Sequence, residues 1–168
     1  MILDISWKSL LKCFIDIISM KNNKEVYNIK KYRFVDITTS DVAFVAYGRS
    51  LGELFSNSAL ATFEVMINID RVKNKVKREI DLSGHDLSSL MFSWLNELLV
   101  YPDSENLVFS KFSVRVDEKK LKLKAKCYGE KIDRKRHELG TVVKSCTYHK
   151  MEITKKRNIW QAQVILDI

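Results

Sequence analysis

Lys111-Phe112-Ser113-Val114-Arg115-Val116, then Asp117-Glu118-Lys119, then Lys120-Leu121-Lys122-Leu123-Lys124-Ala125-Lys126-Cys127, is the stretch that decides the fold. Phe112, Val114 and Val116 alternate with Lys111, Ser113 and Arg115. After the polar Asp117-Glu118-Lys119, Leu121, Leu123, Ala125 and Cys127 alternate with Lys120, Lys122, Lys124 and Lys126. A period of two puts alternate side chains on opposite faces of a strand. The stretch therefore predicts a β-hairpin with one apolar face and one row of four Lys. That row is either a solvated strand face protected by its charge or a contact for a phosphate-bearing or acidic partner.

Downstream, Val142–Ile153 and Trp160–Leu166 read as two further strands, the last with Trp160, Ala162, Val164 and Leu166 on one side. Upstream, the segment from Tyr27 to Val35 reads as extended and Thr38-Thr39-Ser40 as a turn. Val42 to Tyr47 is an apolar run closed by Gly48, the pattern of a buried strand. Ser50-Leu51-Gly52-Glu53 fits a capping box, and Leu51, Leu54, Phe55, Ala59, Phe63 and Met66 form the helix face that follows. Val76, Ile80 and Leu82 alternate with charged residues as a half-buried strand. Asp86 is placed to cap a second helix, whose stripe includes Leu90, Met91, Trp94 and Leu98. Pro102 predicts a stop before Tyr101, because proline disfavours helix in the residue preceding it. The order β-β-α-β-α and then four strands predicts an α+β fold: a single domain with a largely antiparallel sheet and two helices packed on one face.

The chain has 168 residues, 46% hydrophobic and 30% charged, with one Pro and five Gly. This excludes a collagen-like, low-complexity or membrane-spanning composition. Lys and Arg number 29 against 21 Asp and Glu, and residues 111–157 hold 16 of the former and 6 of the latter. Phosphate-bearing or acidic partners are one reading of that cationic half, and a solubilising surface is the other. Cys13, Cys127 and Cys146 have neither CxxC nor zinc spacing, so they read as free thiols of a cytoplasmic protein. Segment Leu3–Ile18 carries apolar residues at helical spacing, but it is too charged and too short to span a bilayer. It reads as a docking helix, an interfacial helix or a leader ahead of a second plausible start at Met20. The division expected is thus an extension over residues 1–20 and a domain over 21–168.

No glycine-rich nucleotide loop, HExxH or GxSxG motif occurs, and His85, His137 and His149 read as surface or capping residues. Two acidic positions stand out. Asp41 opens the buried strand, and Asp167 is penultimate, followed by Ile168 with its terminal carboxylate. Two anionic groups that close repel unless a cation neutralises them, and hard oxygen donors suit Ca²⁺ or Mg²⁺. Frayed, exposed termini are the alternative.

Specific strings then resemble one family. Thr39-Ser40-Asp41-Val42, Tyr47-Gly48 and Ser50-Leu51-Gly52-Glu53-Leu54-Phe55 resemble the opening of the archeases. Later strings agree: Trp94-Leu95-Asn96-Glu97-Leu98-Leu99; Gly129-Glu130 with Asp133 and His137; Gly140 through Lys144 leading to Thr147-Tyr148-His149; and Trp160 with Asp167-Ile168. The match runs over about residues 31–168 in order; the family's opening His has Thr38 in its place, or else Asp36-Ile37 is followed by a turn one residue longer. The resemblance implies a cytoplasmic, non-catalytic activator of the RtcB-type tRNA-splicing ligase. Such an activator promotes guanylylation and multiple turnover in exon joining and broadens the nucleotides accepted. It also implies a divalent metal, Ca²⁺, on Asp41, Asp167 and Ile168. Beside such a site Lys144 is either a contact for ligase or nucleotide or a solvated strand residue, and the row Lys120, Lys122, Lys124 and Lys126 is either a contact for tRNA or an acidic ligase surface or a solvated edge. A basic RNA-binding or chaperone-like accessory protein is the alternative.

Overall fold

The computed structural model describes residues 30–37 and 40–168. The helical reading of Leu3–Ile18, the extended reading of residues 27–29, the Thr38-Thr39 part of the turn and Cys13 lie outside the described residues. The strands are β1 (Tyr32–Val35), β2 (Val42–Gly48), β3 (Val76–Ser83), β4 (Leu107–Asp117), β5 (Lys122–Lys131), β6 (Ser145–Lys156) and β7 (Ile159–Asp167). Helix α1 spans Leu51–Met66 and α2 spans Leu87–Glu105, with a 3₁₀ turn at Ile69–Arg71.

The α+β class, the antiparallel pairing and the two helices are as the pattern predicts. The sheet, however, is two. One has the order β1-β2-β7-β6 and the other β3-β5-β4, and every pairing is antiparallel. The two hairpins, β4–β5 and β6–β7, fall in different sheets, a partition that alternation alone cannot reveal. Helix α1 packs on β1, β2 and β7 of one sheet and on β4 of the other, while α2 packs on β6 and on all three strands of the second sheet. The helices thus share their apolar faces between both sheets. The start of α1 lies directly on β4: a Cβ added at Gly52 would sit 2.4 Å from the Val114 carbonyl oxygen. Here the helix covers a strand that would otherwise be a bare edge.

Local chemistry explains the element ends. The Ser50 hydroxyl accepts from the Glu53 amide at 3.2 Å, as the capping pattern requires. Glu53 reaches one residue further back than expected, accepting from the Arg49 amide at 2.7 Å. Asp86 caps α2 and Ser89 reciprocates. Contrary to the expected stop, α2 runs through Pro102 to Glu105. Proline there removes one backbone donor close to the helix end. Tyr101 packs edge-on against Phe109 at 5.3 Å, and Asn106, left-handed at φ 53°, closes the helix by donating to the Tyr101 carbonyl. Packing and cap together outweigh that single lost bond.

The core is aromatic at its centre: Trp94, Phe44, Phe55, Phe63 and Phe109 are fully buried. The Trp94 indole donates to the Phe55 carbonyl at 3.0 Å, so its burial leaves no polar group unsatisfied. In the β4–β5 hairpin the row of four Lys is shortened to Lys122, Lys124 and Lys126. Lys120 falls in the turn, where Asp117 Oδ1 accepts from the Lys119 and Lys120 amides and Leu121 takes φ 50°. Strand β6 begins at Ser145 rather than Val142 and carries an irregularity between Thr147 and Glu152.

Gly129 on β5 lies so close to β4 that an added Cβ would sit 1.8 Å from the Val108 carbonyl oxygen. Gly129→Ala is expected to cost about 1–3 kcal/mol, the usual penalty for forcing extra atoms into a packed interior. Urea unfolding checks this: the midpoint falls and the m-value stays constant.

Candidate functional site

The candidate residues meet at one end of β7. Strand β2 pairs with β7 so that Val42 stands opposite Leu166. Carried one residue further, this register sets position 41 beside position 167. Directly opposed residues of an antiparallel pair share a face, so two residues 126 positions apart become neighbours on one side of the sheet. On the other flank of β7, Ser145 pairs with Asp167. Lys144, just before β6, donates its backbone amide to the Asp167 carbonyl at 2.8 Å. Its ammonium donates to the main-chain oxygen of Ile168 at 2.9 Å and lies 4.0 Å from Asp167 Oδ1. Asp41, Asp167, Ile168 and Lys144 are therefore brought together by three adjacent strands. Thr38, at the position of the family's His, lies outside the described residues.

Lys144 is delivered there by a connection with little regular structure, residues 132–144, which is tied down at several points. Gly140 and Thr141 donate to the carbonyls of Met66 and Val65 at the end of α1, and Asn68 donates to the Glu138 carbonyl. The strongest tie is Glu130, a residue quoted in the family strings but given no role there. Its side chain is buried, 4% exposed. It accepts from the Lys73 amide at 2.6 Å and pairs with Arg136 at 2.7 Å and Lys75 at 2.9 Å. Burial pushes its carboxyl upward, but the bonds from Arg136, the Lys73 amide, Lys75 and His137 outweigh that and hold it well below the usual carboxylate range. His137 is a correction to the surface reading of the histidines. Its ring is fully buried, with Nε2 3.2 Å from Glu130 Oε1 and Nδ1 accepting from the Asp133 amide at 3.0 Å. An acceptor at Nδ1 places the proton of the neutral ring on Nε2, facing Glu130. His85 and His149 are exposed, as expected.

A second clamp holds β6 itself. The Asn96 side chain of α2 accepts from the Cys146 amide at 2.9 Å and donates to the Cys146 carbonyl at 3.3 Å. No pattern of spacing identifies Glu130 or Asn96 as anchors, because their partners lie in remote segments. Cys127 and Cys146 are free and buried, as expected, and burial pushes each thiol up to about 12.

Whether the site suits a metal rests on its donors. Among the described residues no three His, Cys, Asp or Glu side chains gather as a metal cage. What the register joins is two carboxylates and the oxygens of Ile168. Those are hard donors, matched to Ca²⁺ or Mg²⁺ and not to zinc, so the residues fit a hard cation that also takes water.

Fold and site together define a small antiparallel α+β domain whose first long strand and last strand close on a shared cluster of oxygens. The model of the Archease protein family matches residues 32–168. The chain is 46% identical to the protein archease of Sulfurisphaera tokodaii over 140 residues, covering 83% of this chain and 100% of that one. It is also 46% identical to the protein archease of Pyrococcus abyssi, over 77% of this chain and 94% of that one. Its structure matches the solution structure of protein 1598 from Methanobacterium thermoautotrophicum with a TM-score of 0.74 and 41% identity, over 83% of this chain and 100% of that one. The crystal structure of an archease from Thermotoga maritima, described as a possible chaperone, shares the fold at a TM-score of 0.56 and 18% identity, over 81% of this chain and 97% of that one. The chain belongs to the archease family. Among the described residues no helix is long and apolar enough to cross a membrane.

Glu130 sets a pH dependence. A carboxyl held below its unfolded value near 4.3 contributes stability that is complete above that value. The contribution is lost as pH falls through the folded one. Glu130→Gln is therefore expected to lose about 2–3 kcal/mol at neutral pH, the scale of hydrogen bonds to a charged group. It also flattens the acid limb of the stability curve below about pH 4.3. Thermal melts of both proteins from neutral to acid pH check the two effects.

Proposed function

We propose that this chain is a non-catalytic, cytoplasmic activator of an RtcB-type tRNA-splicing ligase. It promotes transfer of a guanylyl group to the ligase, so that the ligase turns over repeatedly in exon joining, and it broadens the nucleotides the ligase accepts. The observation that carries this reading is the meeting of Asp41, Asp167, Ile168 and Lys144 at one strand end in a chain of this family. Asp41, Asp167 and the oxygens of Ile168 would hold a divalent cation, Ca²⁺, and Lys144 would contact the ligase or its nucleotide. When bound, the ion supplies a fixed positive charge among the carboxylates. Asp41 and Asp167 present an anionic end with a geometry set by the β2–β7 register. The exposed Lys144 ammonium stands 2.9 Å from the main-chain oxygen of Ile168 and 4.0 Å from Asp167 Oδ1.

The test is the guanylylation of the cognate ligase with labelled GTP, with and without this protein. Wild type should raise both the guanylylated fraction and the number of ligations per ligase. Asp41→Ala and Asp167→Ala should lose the effect while melting normally. An unchanged guanylylated fraction with wild type would refute the reading, and suppression of heat aggregation in its place would support a chaperone.

The metal assignment has its own test. Residues appended after Ile168 should weaken Ca²⁺ binding by at least roughly 10–100-fold, which is what loss of even an outer partner of a metal costs. Isothermal titration of tagged and untagged protein measures it, and equal affinities would remove Ile168 from the ligands.

A further inference from the structure

The second sheet has a solvent face that none of the roles above uses. Its registers lay out a grid of three strands by four rows: Ser83–Lys122–Asp117, Asp81–Lys124–Arg115, Glu79–Lys126–Ser113 and Lys77–Tyr128–Lys111. All of these side chains are exposed except Tyr128, which is half-buried. The opposite face carries Leu123, Ala125 and Cys127 into the core.

The charge on this grid is divided by strand. On the β3 side, the carboxylates are taken up by lysines: Asp81 pairs with Lys124 at 3.0 Å and Glu79 with Lys77 at 2.8 Å. On the β4 side, Asp117 is engaged by the amides of the hairpin turn. Among the described residues Arg115, Lys122 and Lys126 form no salt bridge, although Lys126 faces Glu79 across the strands and, after Lys77, helps hold its carboxyl down, and Lys111 rests over the Tyr128 ring at 5.6 Å. Arg115 stands directly opposite Lys124. The Asp81 partner of Lys124 lies on the far side, on β3, so the two cations stand side by side toward β4. An open depression of about 360 Å³ spans the strands here, with Arg115, Ser113, Lys124 and Lys126 on one side and Glu79 and Asp81 on the other.

We propose that this strip binds the phosphodiester backbone of a single-stranded nucleic acid. Lys122, Lys124 and Lys126 lie on alternate residues of β5, about 6.8 Å apart, a repeat that one extended line of phosphates can follow once Lys124 exchanges Asp81 for a phosphate. Tyr128 offers a ring beside that line for base stacking, the combination that marks sequence-tolerant single-strand binding. The strip is narrow and is flanked by Glu79 and Asp81. A broad acidic protein surface would meet those carboxylates, whereas a thin polyanion avoids them. This inference is independent of the ligase reading and is tested without ligase.

The probe is a fluorescently labelled oligouridylate, read by anisotropy. Four phosphate contacts at a slope of roughly 0.7 each predict that affinity falls about fiftyfold between about 50 and 200 mM salt. The Arg115→Glu/Lys122→Glu/Lys126→Glu protein should bind more than tenfold more weakly and lose most of that salt dependence. The milder Arg115→Gln/Lys122→Gln/Lys126→Gln protein, which introduces no new charge, should show the same trend to a smaller extent. Charge reversal at Lys155, Lys156 and Arg157, by the β6–β7 turn, should leave binding within about twofold if contacts are local to the strip. Equal loss from that control would show attraction by net charge alone and overturn the proposal. So would equally tight binding of polyglutamate, which would point to an acidic protein partner.

Discussion

The pairing of β2 with β7 is the constraint on which the rest depends. It joins the first long strand of the described chain to the last one, and it inserts β7 between β2 and β6. The register has no freedom. Phe44, Ala46, Val164 and Leu166 all enter the core, Ala43, Val45 and Ile165 are buried on the opposite face, and a slip by one residue would exchange the two sets and unmake both packings. The same register sets Asp41 beside Asp167. The position of the carboxylates is thus a by-product of core packing, held by far more free energy than two repelling anions could oppose.

Lys144 has no such protection, since it precedes β6 and ends a long connection. Its place is fixed by two anchors that work on different sides. Glu130 and its four donors hold residues 132–137 against the 3₁₀ turn and the strand end. Asn96 pairs with both backbone groups of Cys146, doing for the edge of β6 what a neighbouring strand would do. A buried carboxylate is costly to leave with a missing donor, so the connection is stable only when all the donors converge. This makes its geometry nearly all-or-none, as a loop that aims a functional side chain must be.

What was legible in the sequence follows from the range of each signal. Strand periods, helix faces and the caps at Ser50 and Asp86 are written over a few adjacent residues, and they were read well. Pro102 misled because a local preference competed with remote packing by Tyr101 and Phe109. The division into two sheets was not legible, since it depends on which remote strand β5 chooses as its second neighbour. Asp41 and Asp167 were singled out by position and family strings, and only the register shows that they meet. Glu130, His137 and Asn96 could not be found by spacing. Glu130 shares the outward parity of Lys122, Lys124 and Lys126 on β5, so alternation predicts exposure there, and only the remote donors Lys73, Lys75 and Arg136 account for its burial.

The charges sort themselves by sheet, and that sorting has a physical consequence. The carboxylates and Lys144 sit on the four-stranded sheet, while the uncompensated cations of β4 and β5 sit on the three-stranded one. Exposed charges interact weakly beyond a Debye length of about 8–10 Å. Coupling between the two regions, which lie on different sheets, is therefore screened to the extent that their separation exceeds that length. Within the cationic strip the opposite holds. Arg115, Lys124 and Lys126 lie within one or two strand spacings of one another, so each raises the cost of holding the others charged and close. A polyanion relieves all of them together. Removing one of these cations would thus weaken binding by less than its own contact is worth, because the remaining repulsion falls at the same time.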